Sequence, residues 1–298
     1  MDKQLVSCVI PTYRRSDTLE RAIDSVQNQT YHNLEVLVVD DNEKGSKESA
    51  EVSEIVNKIK DDRVHLVIQE KHINGAEARN AGIRASQGAY IAFLDDDDEW
   101  LPTKLEKQMA ILSENQEYGG VSCLYNEYNN GVLFHSCPPY SGENLHKKVF
   151  ERSVAVFTST ILLRTSSLLD AGIFDINLKR HQDLQLLLDF TSKYKIYVLN
   201  EYLVKLHSDS AINRPSYERL KSIKQDFFNA VGKHLDAYTT HDRKVIMSAH
   251  FYELAFAALK EKKLFSAFRQ FCRAGFRRES LNLLKKRMRD RKYMVKEV

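Results

Sequence analysis

Tyr90-Ile91-Ala92-Phe93-Leu94-Asp95-Asp96-Asp97-Asp98-Glu99-Trp100 is the stretch on which the fold and the chemistry of this chain turn. Four adjacent carboxylates repel one another unless a cation or a hydrogen-bond network neutralises them. A charge run of this kind ordinarily lies on a solvated helix or in an acidic turn. Here it terminates an apolar run that reads as a buried strand. Hard oxygen donors at a strand end suit Mg²⁺ or Mn²⁺, and such ions commonly bridge protein carboxylates to substrate phosphates. The stretch therefore predicts a metal-dependent enzyme acting on a phosphorylated substrate.

Outward from this stretch, strands and helices alternate. Val6–Ile10 is a β-branched run stopped by Pro11, and Leu34–Val39 and Val64–Ile68 are further strand candidates. Asp17-Thr18-Leu19-Glu20 has the capping-box spacing, and Leu19, Ala22, Ile23 and Val26 follow at helical spacing. Helices are also expected over residues 47–60 and 76–85. The alternation predicts an α/β fold, with a mixed, mostly parallel sheet flanked by helices. In such sheets ligands bind at the carboxyl ends of the strands. Three polar clusters fall at those ends: Pro11-Thr12-Tyr13, Asp40-Asp41 and the acidic run. Beyond residue 103, strands are expected at Gly120–Tyr125 and Val154–Leu163, a helix at Gln182–Ser192 and an extended segment at Tyr197–Leu206. Helices follow at about 216–234, 241–261, 263–274 and 278–292, giving a catalytic domain over 1–213 and a helical appendage over 214–298.

Composition narrows the class. The chain has 298 residues, of which 43% are hydrophobic, enough for a sizeable core. Its four cysteines, Cys8, Cys123, Cys137 and Cys272, form no CxxC pair, which argues against a zinc or disulfide scaffold and fits a reducing cytoplasm. Neither a membrane-spanning run nor a secretory signal is expected. The net charge of +3 conceals an asymmetry: residues 260–292 carry 13 Lys/Arg and three Asp/Glu, a local balance of +10 that leaves the remainder at −7. Apolar Leu264, Phe265, Phe268, Phe271 and Phe276 recur among Arg269, Arg273, Arg277 and Arg278. A basic amphipathic segment of this kind suits an anionic inner-leaflet surface, or else packs as structure. Nucleic acid is not an expected partner, because the body is acidic and carries no basic-aromatic binding motif.

In order and spacing, Ser7-Cys8-Val9-Ile10-Pro11-Thr12-Tyr13, Val38-Val39-Asp40-Asp41-Asn42, Asn74-Gly75-Ala76-Glu77-Ala78-Arg79-Asn80-Ala81-Gly82 and Phe93–Trp100 resemble the inverting family-2 glycosyltransferases of the GT-A (Rossmann-like) fold, bacterial surface-polysaccharide type. The match is close over residues 5–105 and looser over 160–210. The resemblance implies transfer from a nucleotide sugar, with a UDP-sugar favoured, to a saccharide or polyprenyl-linked glycan acceptor, using Mn²⁺ or Mg²⁺. It implies that Pro11, Thr12, Tyr13, Asp40 and Asp41 hold the base and ribose. Arg79 would lie near the diphosphate or the acidic motif. Asp95-Asp96-Asp97 would supply the D-x-D motif, with Asp97 as metal ligand and Asp95 and Asp96 toward the donor. His207 matches a histidine that completes the metal site in some relatives.

The segment from Gly172 to Leu184 resembles the stretch that carries the family's catalytic base. Asp183 is the expected base, with Asp175 as second candidate, and Gln182 departs from the commoner acid–acid pair. Gln182 and Trp100 are the expected acceptor contacts. The expected location is cytoplasmic, at the inner membrane's cytoplasmic face if the basic segment docks there. Two other readings stand beside this one. A sugar nucleotidyltransferase is disfavoured, because Pro-Thr-Tyr-Arg-Arg stands where a Gly-rich phosphate loop would be. A catalytically inactive glycan-binding scaffold is disfavoured by the presence of Asp97 and Asp183. The oligomeric state is left open, a homo-oligomer included.

Overall fold

The computed structural model describes residues 4–142, 144–208 and 215–275, together with 279, 282 and 285. Four strands, β1 (Val6–Thr12), β2 (Leu34–Asp40), β3 (Val64–Ile68) and β4 (Tyr90–Phe93), pair in parallel in the order β3-β2-β1-β4. The connections are α1 (Ser16–Gln27), α2 (Lys47–Lys58) and α3 (Gly75–Ala85). Every residue of β1 and β2 is buried, which explains their near-continuous apolar reading. Because β2 and β4 leave β1 on opposite sides, a crevice opens at the carboxyl ends of β1 and β4.

The second half of the sheet is mixed. It contains β5 (Glu99–Trp100), β6 (Tyr118–Asn129), β7 (Val132–Ser136), β8 (Leu162–Arg164) and β9 (Lys195–His207), in the order β4-β8-β6-β9-β5 with β7 on β6. Only β6 and β9 pair in parallel there. The helices α4 (Lys104–Glu114), α5 (Leu145–Phe150), α6 (Thr165–Ala171) and α7 (Gln182–Thr191) intervene, and α8 (Tyr217–Val231), α9 (Thr240–Lys260) and α10 (Leu264–Ala274) follow.

Three sequence expectations need correction. The Asp17/Glu20 capping box does not form: α1 starts at Ser16, and its N-cap Arg15 makes no capping bond, whereas Ser46 and Asn74 cap α2 and α3. The strand expected over Val154–Leu163 is confined to its end, because Thr158–Thr160 folds into a 3₁₀ turn. There the Thr160 hydroxyl bonds Phe157 O, a local bond that competes with strand pairing. Finally, the chain forms two compact units that no single cut near 213 separates. The first is Met1–Ser141, Val156–Asn177 and Lys193–Asp209; Gly142–Ala155 and Leu178–Ser192 group instead with the described C-terminal helices. The helix expected over 278–292 lies outside the continuously described residues.

In the first unit the core is built on β1, β2 and β4 with Leu19, Ile23 and Val26 of α1. Close approach of α3 depends on Gly82, where a Cβ would stand 2.3 Å from a Val9 methyl. In the second unit, α5, α8 and α9 bring Phe150, Phe227, Phe228 and His250 into one aromatic cluster.

Candidate donor site

The acidic run turns immediately after β4, with Asp98 N–H bonded to Asp95 O at 3.0 Å. This turn sends four identical side chains different ways. Asp98 points into the protein, where its carboxylate accepts from the Ser159 hydroxyl (2.5 Å) and the His207 N–H (3.3 Å). Burial pushes its pKa well above the usual carboxylate range. Asp95, Asp96 and Asp97 line a cavity of about 510 Å³, together with Pro11, Thr12, Tyr13 and Asp41.

Two guanidinium groups face these acids. Arg79 on α3 pairs with Asp95 and bonds Gly75 O at 3.1 Å. Arg15 pairs with Asp97 and lies 3.5 Å from Asp96. Arg21 also fixes the turn, donating to Asp97 O at 2.7 Å. Burial, reinforced by the charges of Asp97 and Asp95, pushes the Asp96 carboxyl up to about 7. Burial and Asp95 raise Asp97 too, against the opposing pull of Arg15.

At the Tyr13 end of the cavity, Asp41 accepts from Gln69 Nε2 (2.8 Å) and sits 2.9 Å from His72 Nδ1. Burial raises its pKa, and His72 opposes the rise. The Tyr13 ring stacks on His72, centroids 3.8 Å apart, with the Arg14 guanidinium 5.0 Å from the Tyr13 centroid. Arg14 turns the chain there through a left-handed φ of 55°, its N–H held by Asn42 Oδ1 at 3.0 Å. The buried Thr12 hydroxyl lines the cavity beside Asp96, whose carboxyl it holds down against the effect of burial.

These residues fit a divalent cation and a diphosphate. Four cavity carboxylates outnumber two guanidinium groups, so negative charge is left over. Among the described residues, no three His, Cys, Asp or Glu side chains form a ready-made metal cage. Mg²⁺-type sites need none, since one or two carboxylates plus substrate phosphates suffice.

Other expected site residues fall elsewhere. Asp40 is taken up structurally: it accepts from the Ser49 hydroxyl (2.6 Å) and from Asn42 Nδ2 (2.7 Å), and it does not line the cavity. Trp100 does not line the acidic cavity. It is 2% exposed, its Nε1 donates to Ser159 O at 2.7 Å, and Lys104 Nζ lies 3.8 Å from its ring centroid. His207 is not among the cavity residues; its Nε2 is 3.6 Å from Glu99 and its ring lies against Tyr128. In the second unit, Asp183 occupies the first turn of α7, and Gln182 bonds back to Leu178 O at 2.5 Å. Sequence reasoning missed Arg15 and His72. Arg15 stands two residues after Tyr13 of the Pro-Thr-Tyr turn, a usable signal, whereas His72 lies in a loop with no readable pattern.

A mixed sheet of this order, with an acidic cavity at its strand ends, has the GT-A fold. The model of glycosyl transferase family 2 matches residues 7–169. The amylovoran biosynthesis glycosyltransferase AmsB of Erwinia amylovora is 30% identical over 248 residues, covering 78% of this chain and 80% of AmsB. The Escherichia coli UDP-Glc:alpha-D-GlcNAc-diphosphoundecaprenol beta-1,3-glucosyltransferase WfaP is 35% identical over 140 residues, 46% of this chain and 53% of WfaP. The crystal structure of S. aureus TarS 1-349 in complex with UDP-GlcNAc is similar in fold, with a TM-score of 0.61 at 19% identity, covering 97% of this chain and 89% of TarS 1-349. The chain belongs to glycosyl transferase family 2 and is a glycosyltransferase.

Proposed function

We propose that this enzyme transfers a sugar from a UDP-sugar to a lipid-linked glycan acceptor in surface-polysaccharide synthesis, with inversion at the anomeric carbon. The observation that carries the donor half is the strand-end cavity, where Asp41, Arg79 and Asp95–Asp97 converge. The names of AmsB and WfaP, with amylovoran, UDP-Glc and a diphosphoundecaprenol acceptor in them, support the substrate classes.

In this reading Asp41, Tyr13 and His72 receive the base and ribose. Arg79 and Arg15 face the diphosphate, exchanging carboxylate partners for phosphate oxygens. Asp97, with Asp95 beside it, would hold Mn²⁺ or Mg²⁺, which neutralises charge on the departing diphosphate when bound. Asp183 is the base. It stands in the first turn of α7, where backbone N–H groups carry partial positive charge. It takes the proton of the acceptor hydroxyl as that oxygen bonds to the anomeric carbon. The anomeric carbon–oxygen bond to phosphate breaks, and UDP leaves with the electron pair.

Calorimetric titration with UDP, GDP, CDP and TDP, in Mn²⁺ and in chelator, tests the donor half. UDP should bind best, chelator should weaken it, and Asp97→Ala should remove the metal dependence. Asp183→Asn should retain UDP binding and lose transfer. Chelator-insensitive binding sinks the metal assignment, and wild-type transfer by Asp183→Asn sinks the base.

A further inference from the structure

The side chains of α10 divide between two environments. Its inner face is packed within the second unit: Ala267, Gln270 and Ala274 are buried, Gln270 Nε2 donates to the Tyr217 hydroxyl (2.9 Å), and the Ser248 hydroxyl donates to Ala274 O (2.5 Å). Phe271 meets Phe256 edge-on, centroids 5.8 Å apart. On the other side Leu264, Phe265 and Phe268 are 70%, 81% and 68% exposed. They stand at i, i+1 and i+4, so they share one face, and the exposed Cys272 at i+8 continues it. Exposed Lys262, Lys263 and Arg269 border them. This is a contiguous apolar patch rimmed by cations, on a helix already anchored by its opposite side.

Burial within the protein would be the usual fate of two phenylalanines and a leucine, so a patch of this kind marks an interaction surface. Charge selects the partner. Residues 260–292 carry 13 Lys/Arg against three Asp/Glu, while the rest of the chain is net acidic. Pairing with a second copy through this patch would bring two cationic rims together. An anionic lipid surface satisfies both parts at once: apolar rings enter the acyl boundary and basic side chains meet the headgroups. Among the described residues no helix is long and apolar enough to cross a membrane, so the contact is interfacial.

We infer that the outer face of α10 docks the enzyme on an anionic bilayer, with Leu264, Phe265 and Phe268 inserted and Lys262, Lys263 and Arg269 at the headgroups. The inference deepens the proposed lipid-linked acceptor by naming the surface that brings the enzyme to it.

Flotation of the full chain with phosphatidylglycerol-containing and pure phosphatidylcholine vesicles tests it. The wild type should float with the anionic vesicles only, and less at high salt. Phe265→Ser/Phe268→Ser should weaken the partition about tenfold or more, and Lys262→Glu/Arg269→Glu should weaken it as well. Both pairs are exposed, so circular dichroism and UDP titration should stay at wild-type values. A fluorophore on Cys272, exposed while the other three cysteines are buried, should shift to the blue when anionic vesicles are added. Failure of the wild type to float, or flotation unchanged by the phenylalanine variant, overturns the docking face. A dimer that the phenylalanine variant dissociates without altering flotation, or a fluorophore already blue-shifted without vesicles, overturns it too. Loss of UDP binding with flotation intact would instead count against the donor assignment alone.

Discussion

Asp95, Asp96, Asp97 and Asp98 are chemically identical, yet their environments separate them. Asp98 satisfies two buried donors, the Ser159 hydroxyl and the His207 N–H. Removing it leaves those donors unpaired, so Asp98→Ala should destabilise the fold by about 1–3 kcal/mol in denaturant titration, and Asp98→Asn should recover most of the loss. Asp97 belongs to a crowded set of acids, and burial first, then the charge of Asp95, raises its pKa against the pull of Arg15. Asp97→Ala should therefore leave stability unchanged or slightly higher while abolishing metal-dependent UDP binding. Finding the two alanine variants equally destabilised would contradict this division. At the nucleotide end, His72→Ala removes both the stack on Tyr13 and the contact to Asp41. UDP affinity measured by calorimetry should fall by about tenfold, the scale of one or two lost contacts.

Among the elements, α3 decides whether the site assembles. Its Asn74 cap and its position across β1 and β2 carry Arg79 to Asp95. Gly82 permits that approach, and an added methyl must displace Val9 in a fully buried strand. Gly82→Ala should cost about 1–3 kcal/mol by overpacking. Thermal unfolding measures the cost, and UDP affinity should weaken in parallel because Arg79 shifts with the helix. The 3₁₀ turn Thr158–Thr160 acts from the other side. Ser159 holds the Asp95 N–H at 3.2 Å as well as Asp98, and its carbonyl accepts from Trp100. The apolar and β-branched run around it reads as a strand, and only the placement of its hydroxyls against the acidic turn reveals another role.

For the whole molecule, acid stability rests on buried histidines of the second unit. Burial and the neighbouring His234 hold His146 down at about 4, with Asp189 pulling the other way. Burial with Lys224, Arg152 and Arg180, opposed by Glu253, holds His181 down at about 2. His250, bonded to Phe150 O at 2.9 Å, is pushed well below its ordinary 6.5, by burial first and then by Lys224. Each is neutral when folded and free to protonate when unfolded. Their stabilisation is complete above pH 6.5 and is lost as the pH falls toward 4. Between pH 7 and 5 the loss is about 2 kcal/mol for each deeply buried ring and less for the partly exposed His146. Burial acts with the opposite sign on Asp96 and Asp98, whose raised pKa values favour the fold as the pH falls. The histidine part is therefore read as a difference: between pH 7 and 5 the urea midpoint of His250→Gln, followed by Phe/Tyr signals, should lose less than that of the wild type, and an equal change in both would falsify the neutral burial of His250.

The sequence by itself determined the four strands of the parallel half of the sheet, though not their order, because strands buried on both faces write apolar runs and the intervening helices keep their spacing. It also marked the acidic strand end, Asp41 and the Pro-Thr-Tyr turn, since those polar groups stand at the ends of apolar runs, while Arg79 came from the resemblance to family-2 glycosyltransferases. Only the tertiary structure decided which carboxylates face the cavity. One turn after β4 sends Asp98 inward, and Ser49 and Asn42 claim Asp40. Trp100 was likewise settled by packing against Lys104 and Ser159 from distant parts of the chain. The same holds for the segments 142–155 and 178–192, which group with the C-terminal helices. Local patterns record which face of an element is apolar, whereas these assignments depend on partners far away in sequence, which local patterns do not encode.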